Sequence, residues 1–217
     1  MTIIEFICSL PKSIYFNVKY FGIKDGIKLP IFISHNVKFI TLKGKIEILD
    51  KLKMGMIKIG FGSVGIFDKR KSKTLLELNG KIIFNGRADI GHGSKLCVNG
   101  ILTIGNRFKI TAESSIICYE RITIGDDCIF SWENLIMDTD LHKIYDINDN
   151  YVNHDKEILI GNKVWLGCRC TLLKGTILSN GIVVAAGSLI NKTFLQQNTV
   201  LAGNPAKIVK KDINWSY

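Results

Sequence analysis

The chain has 217 residues, 47% of them hydrophobic, and a formal charge of +10, a composition typical of a globular protein of one or two domains with an anionic partner. We expect neither secretion nor membrane spanning, because no apolar run reaches roughly 18 to 20 residues and Glu5 lies where a signal peptide would be basic. Six scattered cysteines without a C-x-x-C pair indicate free thiols in a reducing cytoplasm.

The N-terminal part mixes aromatic and basic residues. Pro11 and Pro30 mark the limits of one or two short predicted helices. Residues 1–60 hold ten lysines and four acidic residues, with aromatic side chains between them. No nucleic-acid-binding motif is present, and we expect no nucleic-acid partner. The basic, amphipathic character favours peripheral contact with an anionic membrane.

From about Met56 onward the chain repeats with a period of six residues. Two uninterrupted apolar rows have this spacing. They are Leu78, Phe84, Ile90, Leu96, Leu102 and Phe108, and Ile160, Leu166, Leu172, Leu178, Val184 and Ile190. At this hydrophobic content, six in a row arise by chance about once in a hundred trials per register. A unit of six is too short for a helical repeat and indicates one flat face of a parallel β-solenoid.

Three such faces make an 18-residue coil, and successive coils lie about 4.8 Å apart. The predicted stacking pairs are Ile160 with Leu178, Leu166 with Val184, and Leu172 with Ile190. We therefore predict an all-β solenoid over residues 56–202, a partly helical N-terminal extension over 1–55, and a tail over 203–217. A β-sandwich with accidental spacing is the alternative, and the period does not fix the hand of the coil.

His142 keeps the solenoid phase, eighteen residues before Ile160, at a position where the other residues are apolar. The next positions in phase are Asn148 and His154, which cannot fill an apolar wall. Residues 143–157 are therefore predicted to leave the coil as a loop. A titratable ring at the root of such a loop is placed to face a cleft.

Four segments of the chain resemble the hexapeptide-repeat acyltransferases. They are D-T-D-L-H (138–142), I-G-N-K-V-W-L-G (160–167), A-A-G-S (185–188) and A-G-N-P-A-K (202–207). Together they are similar to the branch that O-acetylates bacterial sugars, including the sialic-acid and capsule O-acetyltransferases. The resemblance is strongest from about residue 124 onward. It implies a left-handed parallel β-helix, an exception to the right-handed crossover rule, and a homotrimer with active sites between subunits.

The resemblance implies acetyl-CoA-dependent O-acetylation of a sugar hydroxyl in surface polysaccharide biosynthesis, with His142 as general base. An imidazole can accept the hydroxyl proton at neutral pH, and a loop-anchoring histidine is the alternative. Trp165 matches a tryptophan of the family, where an indole donates one hydrogen bond and presents an apolar face. Its alternative is corner packing. Asp138 and Asp140 either orient the imidazole or have a plain capping or solvated role.

The family's contacts to coenzyme A carry over to six residues. They are Cys168, Ala186, Asn191, Lys192, Lys207 and Lys210. The three lysines can meet the phosphates, and the small Ala186 lets the pantetheine arm lie against the wall. Cys168 could also be read as a nucleophile, but no histidine lies near it in sequence. We therefore expect direct transfer in a ternary complex, without a metal.

Other functions compete with this prediction. A γ-type carbonic anhydrase shares the solenoid, but its zinc needs three histidines, two of them close in sequence. The four histidines, His35, His92, His142 and His154, show no such pair. An N-acetyltransferase acting on an amino sugar and a non-catalytic binding solenoid stay open. Turnover of acetyl-CoA and the identity of the product would separate them.

Overall fold

The computed structural model describes residues 2–69 and 71–216. Its first element is helix α1 (Ile3–Gly26). Thr2 caps it, and the Thr2 and Glu5 side chains each accept a bond from the other's backbone N–H, which is a capping box. Pro11 lies inside the helix on its exposed side, and Gly22, with φ of 69°, kinks it. The expectation that Pro11 limits a helix was wrong, because packing of the opposite face outweighs one lost backbone bond. No helix among the described residues is long and apolar enough to cross a bilayer.

Strands make up most of the remaining structure. In chain order they are β1 (Ile31–Ile33), β2 (Lys38–Leu42), β3 (Lys45–Ile48), β4 (Ile57–Phe61), β5 (Leu75–Leu78), β6 (Lys81–Phe84), β7 (Ala88–Gly91), β8 (Lys95–Val98), β9 (Ile101–Ile104), β10 (Phe108–Ile110), β11 (Ser115–Cys118), β12 (Arg121–Ile124), β13 (Ile129–Phe130), β14 (Leu135–Met137), β15 (Ile158–Ile160), β16 (Trp165–Leu166), β17 (Thr171–Leu173), β18 (Ile177–Leu178), β19 (Val183–Val184), β20 (Leu189–Ile190), β21 (Thr193–Phe194), β22 (Val200–Gly203) and β23 (Ala206–Lys210).

The strands form the three sheets of a left-handed parallel β-helix. Sheet A has the order β1-β4-β7-β10-β13-β16-β19-β22-β23, sheet B β2-β5-β8-β11-β14-β17-β20, and sheet C β3-β6-β9-β12-β15-β18-β21. Each coil contributes one strand to each sheet, and the antiparallel pair of β22 and β23 ends sheet A. The predicted solenoid with a helical N-terminal extension is confirmed.

The length of the coil changes along the chain. The three predicted pairs with 18-residue spacing are confirmed by the register of β15 with β18, β16 with β19, and β17 with β20. Between β5 and β14 the spacing is 20 residues, as for Leu96 beside Ile116, and the prediction of 18 was wrong there. The reason is that the strands of sheets B and C have four residues there, whereas the C-terminal coils use two or three.

Apolar side chains alternate inward on all three sheets and fill the interior. All twelve residues of the two apolar rows are buried in one continuous core cluster. The outward positions between them are free to carry polar or functional side chains, because successive residues of a strand point to opposite faces.

The β-helix begins at β1, whose partner in sheet A is β4. The first coil, residues 31–48, thus lies within the range assigned above to the extension, and the division at residues 55 and 202 stays a prediction.

Helix α1 covers the open edge of β1. Asn17 Nδ2 donates to the Ile31 carbonyl (2.6 Å) and its Oδ1 accepts from the Ile31 N–H (3.1 Å), and Ser13 Oγ accepts from the Ile33 N–H (2.9 Å). An open sheet edge is thereby closed to other chains.

Candidate functional site

The segment 138–157 leaves the coil between β14 and β15, and His142 is exposed near its start. Asn153 Nδ2 donates to the His142 carbonyl (2.9 Å) and to Asp140 Oδ2 (2.8 Å). Lys174 Nζ donates to the same Asp140 oxygen (2.6 Å) and to the Asn153 carbonyl (2.7 Å). These bonds fix the backbone around His142. Its ring is exposed and makes no hydrogen bond with the described residues.

The two aspartates before His142 have separate roles. Asp138 is buried, and its carboxylate accepts from the backbone N–H groups of Tyr119 (2.7 Å) and Glu120 (2.9 Å). Hydrogen bonds from Lys174 and Asn153 hold the pKa of Asp140 below its usual range. Within the described residues neither carboxylate contacts the His142 ring. Of the two alternatives, the contacts therefore favour capping for Asp138 and anchoring of the loop for Asp140.

Trp165 occupies the outward position of β16, and the next residue, Leu166, is in the core. Its side chain is 40% exposed, and Nε1 donates to Ser131 Oγ (3.3 Å). The ring lies 6.0 Å from that of Trp215, centroid to centroid. An exposed indole with a fixed N–H can present its face to a sugar or a pantetheine arm.

Cys168 and Ala186 are brought together at the corner between sheets A and B. They occupy neighbouring coils, and the Gly187 N–H donates to the Cys168 carbonyl (2.9 Å). A Cβ at Gly167 would lie 2.7 Å from the Ala186 nitrogen, so this close stacking requires glycine. Ala186 is exposed and Cys168 half-buried, which leaves a shallow, smooth wall.

The remaining predicted donor residues are all exposed but lie in two places. Asn191 and Lys192 follow β20 at the corner between sheets B and C, from which the His142 loop also emerges. Lys207 and Lys210 lie on β23, paired with Ala202 and Val200 in sheet A. A single chain thus divides the predicted site residues between the corner of sheets B and C, which holds His142, and sheet A with its adjoining corner, which holds Trp165 and Cys168. No hydrogen bond, ion pair or ring contact of the described residues joins His142 to Trp165.

Three neighbours of the site were not found from the sequence. Lys174 and Asn153 anchor the loop, and Trp215 packs against Trp165. Lys174 follows β17 without any motif, and Trp215 lies in a tail with no periodic pattern. Within residues 2–69 and 71–216, no three His, Cys, Asp or Glu side chains gather as a metal site needs.

Comparison by sequence finds relatives, although no family model matches. The chain is 31% identical over 145 residues to WbbJ of Escherichia coli K12, assigned as a lipopolysaccharide biosynthesis O-acetyl transferase, covering 61% of this chain and 73% of that protein. It is 42% identical over 114 residues to the polysialic acid O-acetyltransferase of Neisseria meningitidis, covering 52% of this chain and 51% of the relative. A polysialic acid O-acetyltransferase of E. coli O1:K1 is 33% identical over 125 residues, which are 57% of this chain and 39% of the relative. The chain thus spans about half or less of these two polysialic acid enzymes.

Comparison by structure agrees. The polysialic-acid-specific acetyltransferase NeuO superposes with a TM-score of 0.51 at 25% identity, covering 86% of this chain and 79% of that one. AntD, an N-acyltransferase of Bacillus cereus, has a TM-score of 0.52 at 15% identity over 83% of this chain and 80% of that one, which shows the shared fold alone. Because the chain is 31% identical to WbbJ and covers 73% of that protein, it belongs to the hexapeptide-repeat acyltransferase family.

Proposed function

We propose that the protein is an acetyl-CoA-dependent O-acetyltransferase that modifies a sugar hydroxyl of a bacterial surface polysaccharide. The observation that carries the proposal is the exposed His142 ring on a loop anchored by Lys174, Asp140 and Asn153. It occurs in a chain related to O-acetyltransferases of polysialic acid and lipopolysaccharide.

In this mechanism His142 takes the proton from the acceptor hydroxyl as its oxygen attacks the thioester carbonyl. The carbon–sulfur bond then breaks, the sugar ester forms, and the imidazolium returns the proton to the departing coenzyme A sulfur. General base catalysis of this kind contributes about 10²- to 10⁴-fold in rate. The wall of Cys168 and Ala186 would support the pantetheine arm. Asn191 and the three lysines Lys192, Lys207 and Lys210 would meet the phosphates.

The test is acetyl-CoA consumption with a panel of free sugars, nucleotide sugars and glycans. His142→Ala should lose nearly all turnover. His154→Ala is the matched control, because this second exposed histidine of the same segment packs on Tyr151 and should retain activity. Equal activity of wild type and His142→Ala would reject the mechanism. Absence of turnover with every acceptor of the panel would favour a binding solenoid, and an amide product would favour N-acetylation.

We also propose a homotrimer with sites between subunits, supported by the placement of His142 at the corner between sheets B and C and of Trp165 on the outward face of sheet A. His142 of one copy would then face Trp165 of its neighbour. Sedimentation should give three times the chain mass. Inactive His142→Ala and Trp165→Ala chains, unfolded and refolded together, should regain part of the activity. Failure to regain any activity in a mixed assembly would show that both residues act from the same chain.

We further propose that a cytoplasmic protein touches an anionic membrane through α1. Ser13 and Asn17 of α1 are buried against β1. Ile3, Ile4 and Ile7 of the same helix are instead 79%, 74% and 58% exposed. Helix α1 also carries Lys12, Lys19 and Lys24, and helices that bind anionic lipids combine basic with apolar residues. Ile3→Ser with Ile7→Ser should weaken sedimentation with phosphatidylglycerol vesicles. The matched control is Ile144→Ser with Ile147→Ser, which changes two isoleucines of the 138–157 segment that are also exposed. Equal sedimentation of all three proteins would refute the contact.

A further inference from the structure

A basic groove of about 810 Å³ runs along sheet A between the helix end of the solenoid and the C-terminal residues. Its cationic lining consists of Lys53, Lys58, Arg87, Arg107, Lys109 and Lys163. Two carboxylates, Asp89 and Asp127, also line it, so the lining carries an excess of four positive charges. None of the site residues inferred above lies in this lining.

Backbone pairing arranges these side chains in two columns parallel to the solenoid axis. The register of β4, β7, β10, β13 and β16 stacks Lys58, Asp89, Lys109, Ile129 and Trp165 on the outward face of sheet A. Four coil steps of about 4.8 Å give this column a length of roughly 19 Å. The floor of the groove therefore leads directly to Trp165.

The second column follows the corner that precedes sheet A. The same register places Arg87, Arg107, Asp127 and Lys163 in successive coils. The last three have φ of 57°, 58° and 56°, a left-handed conformation that arginine and lysine rarely adopt. At Arg107 and Lys163 it costs about 1 kcal/mol relative to glycine or asparagine, so these two positions carry a positive charge at the expense of backbone preference.

Both carboxylates of the groove are already paired with cations. Asp127 receives two hydrogen bonds from the Arg107 guanidinium, which hold the pKa of Asp127 below its usual range. Asp89 lies 3.9 Å from Lys58 Nζ. Arg87 has an exposed side chain that makes no hydrogen bond or ion pair with the described residues. An anion entering the groove thus meets unneutralised positive charge.

Aromatic rings form the boundary between the groove and Trp165. Trp215 Nε1 donates to the Lys163 carbonyl (3.0 Å), and Lys163 Nζ donates to Asn214 Oδ1 (2.8 Å). These bonds hold the Trp215 ring at the groove and against Trp165. Sugar rings bind well on such indole faces, with their polar edges left to charged neighbours.

We propose that this groove binds the acceptor as an anionic glycan chain several sugar residues long, with the sugar to be acetylated at the Trp165 end. The inference rests on the proposed function and specifies its substrate class. The cations recur at coil spacing along the path, which suits a polymer with repeated negative charges. A single neutral sugar would use none of them.

The test compares binding of oligosialic acid and of a neutral dextran oligomer of equal length to the full chain by calorimetry at fixed ionic strength. The main variant is Arg107→Asn with Lys163→Asn, because asparagine tolerates the left-handed conformation at both positions. A second variant, Arg87→Gln, breaks no ion pair of the described residues. The control is Lys45→Gln with Arg121→Gln, which removes the same charge from outward positions of sheet C.

Wild type should bind oligosialic acid and not dextran. The double variant should raise the dissociation constant about tenfold, and Arg87→Gln about threefold. In turnover the double variant should raise KM with kcat little changed, and the sheet C control should match wild type.

The proposal is overturned if oligosialic acid does not bind, if dextran binds equally well, or if the sheet C control loses as much affinity as the groove variant. Tighter binding of single-stranded DNA of equal charge would instead identify a nucleic-acid surface. Groove-dependent binding without acetyl-CoA consumption on any acceptor would reject the proposed function but keep the groove as a glycan site.

Discussion

The side chain of Asn17 forms hydrogen bonds with backbone groups of the first strand of the β-helix. Asn17→Ala is therefore expected to destabilise that end of the protein. Strand β1 pairs with β4 through alternate residues, as in the bonds from the Ile57 N–H to the Pro30 carbonyl and from the Ser34 N–H to the Ile59 carbonyl. The Ile31 N–H and carbonyl point away from β4, and Asn17 bonds to both.

The magnitude follows from burial. Asn17 and Ile31 are fully buried, so the substitution leaves a donor and an acceptor of Ile31 without partners. Each unsatisfied buried group costs about 1–3 kcal/mol, which gives about 2–6 kcal/mol for the pair. Water entering the space left by the amide reduces this cost, and we expect about 3 kcal/mol.

The assay is urea unfolding followed by circular dichroism, combined with hydrogen exchange of single amides. Because each coil contacts only its neighbours, protection should fall in α1 and β1 and persist in the C-terminal coils. Asn148→Ala, at an exposed position of the 138–157 segment, is the control and should change stability by less than about 0.5 kcal/mol. An Asn17→Ala protein within that same range, with unchanged protection of Ile31, would refute the reasoning.

Three further predictions concern the loop, a buried histidine and the core. Lys174→Met should lower kcat about tenfold or more with little change in the melting temperature, because Lys174 positions the His142 loop through Asp140 without touching the core; an unchanged kcat would show that the loop needs no anchor. Burial of the side chain lowers the pKa of His92. The negative charge of Glu113 opposes this shift, and the positive charge of Lys69 lowers the pKa further. The folded state therefore binds the proton more weakly than the unfolded chain, so stability is present above the ordinary histidine pKa and falls as the pH drops below it. The loss of melting temperature between about pH 7.5 and about pH 5.5 should be smaller in His92→Leu, and an equal loss would mean that other groups dominate. Phe130→Ala should cost about 3–5 kcal/mol in urea unfolding, since the ring is fully buried and packs edge-on against Phe108 at 4.9 Å; Ile129→Ala on the outward face should cost far less.

Inward and outward residues alternate along each strand, and this pattern allowed much of the fold to be predicted from the sequence. Every residue of the two six-spaced rows is in the core, because inward positions of short strands recur at fixed intervals whatever the surroundings. The phase also singled out His142, since a polar residue in an apolar row must leave the wall. Helix α1 was less readable. Phe16 is its one apolar side chain that is fully buried, whereas several of its isoleucines face solvent. Its Ser13 and Asn17 face β1, which departs from the usual pattern of a surface helix.

The sequence by itself determined the repeat, the apolar interior and the two motifs that contain His142 and Trp165. Only the tertiary structure decided which outward residues become neighbours, because stacking depends on the length of every coil between them. Arg87, Arg107 and Lys163 share one column although 20 residues separate the first two and 56 the last two. A strand lengthened by two residues, or a segment such as 138–157 pushed out of the coil, shifts this alignment without disturbing the alternation of any strand. The long-range register that joins the basic groove to Trp165 therefore has no local signature.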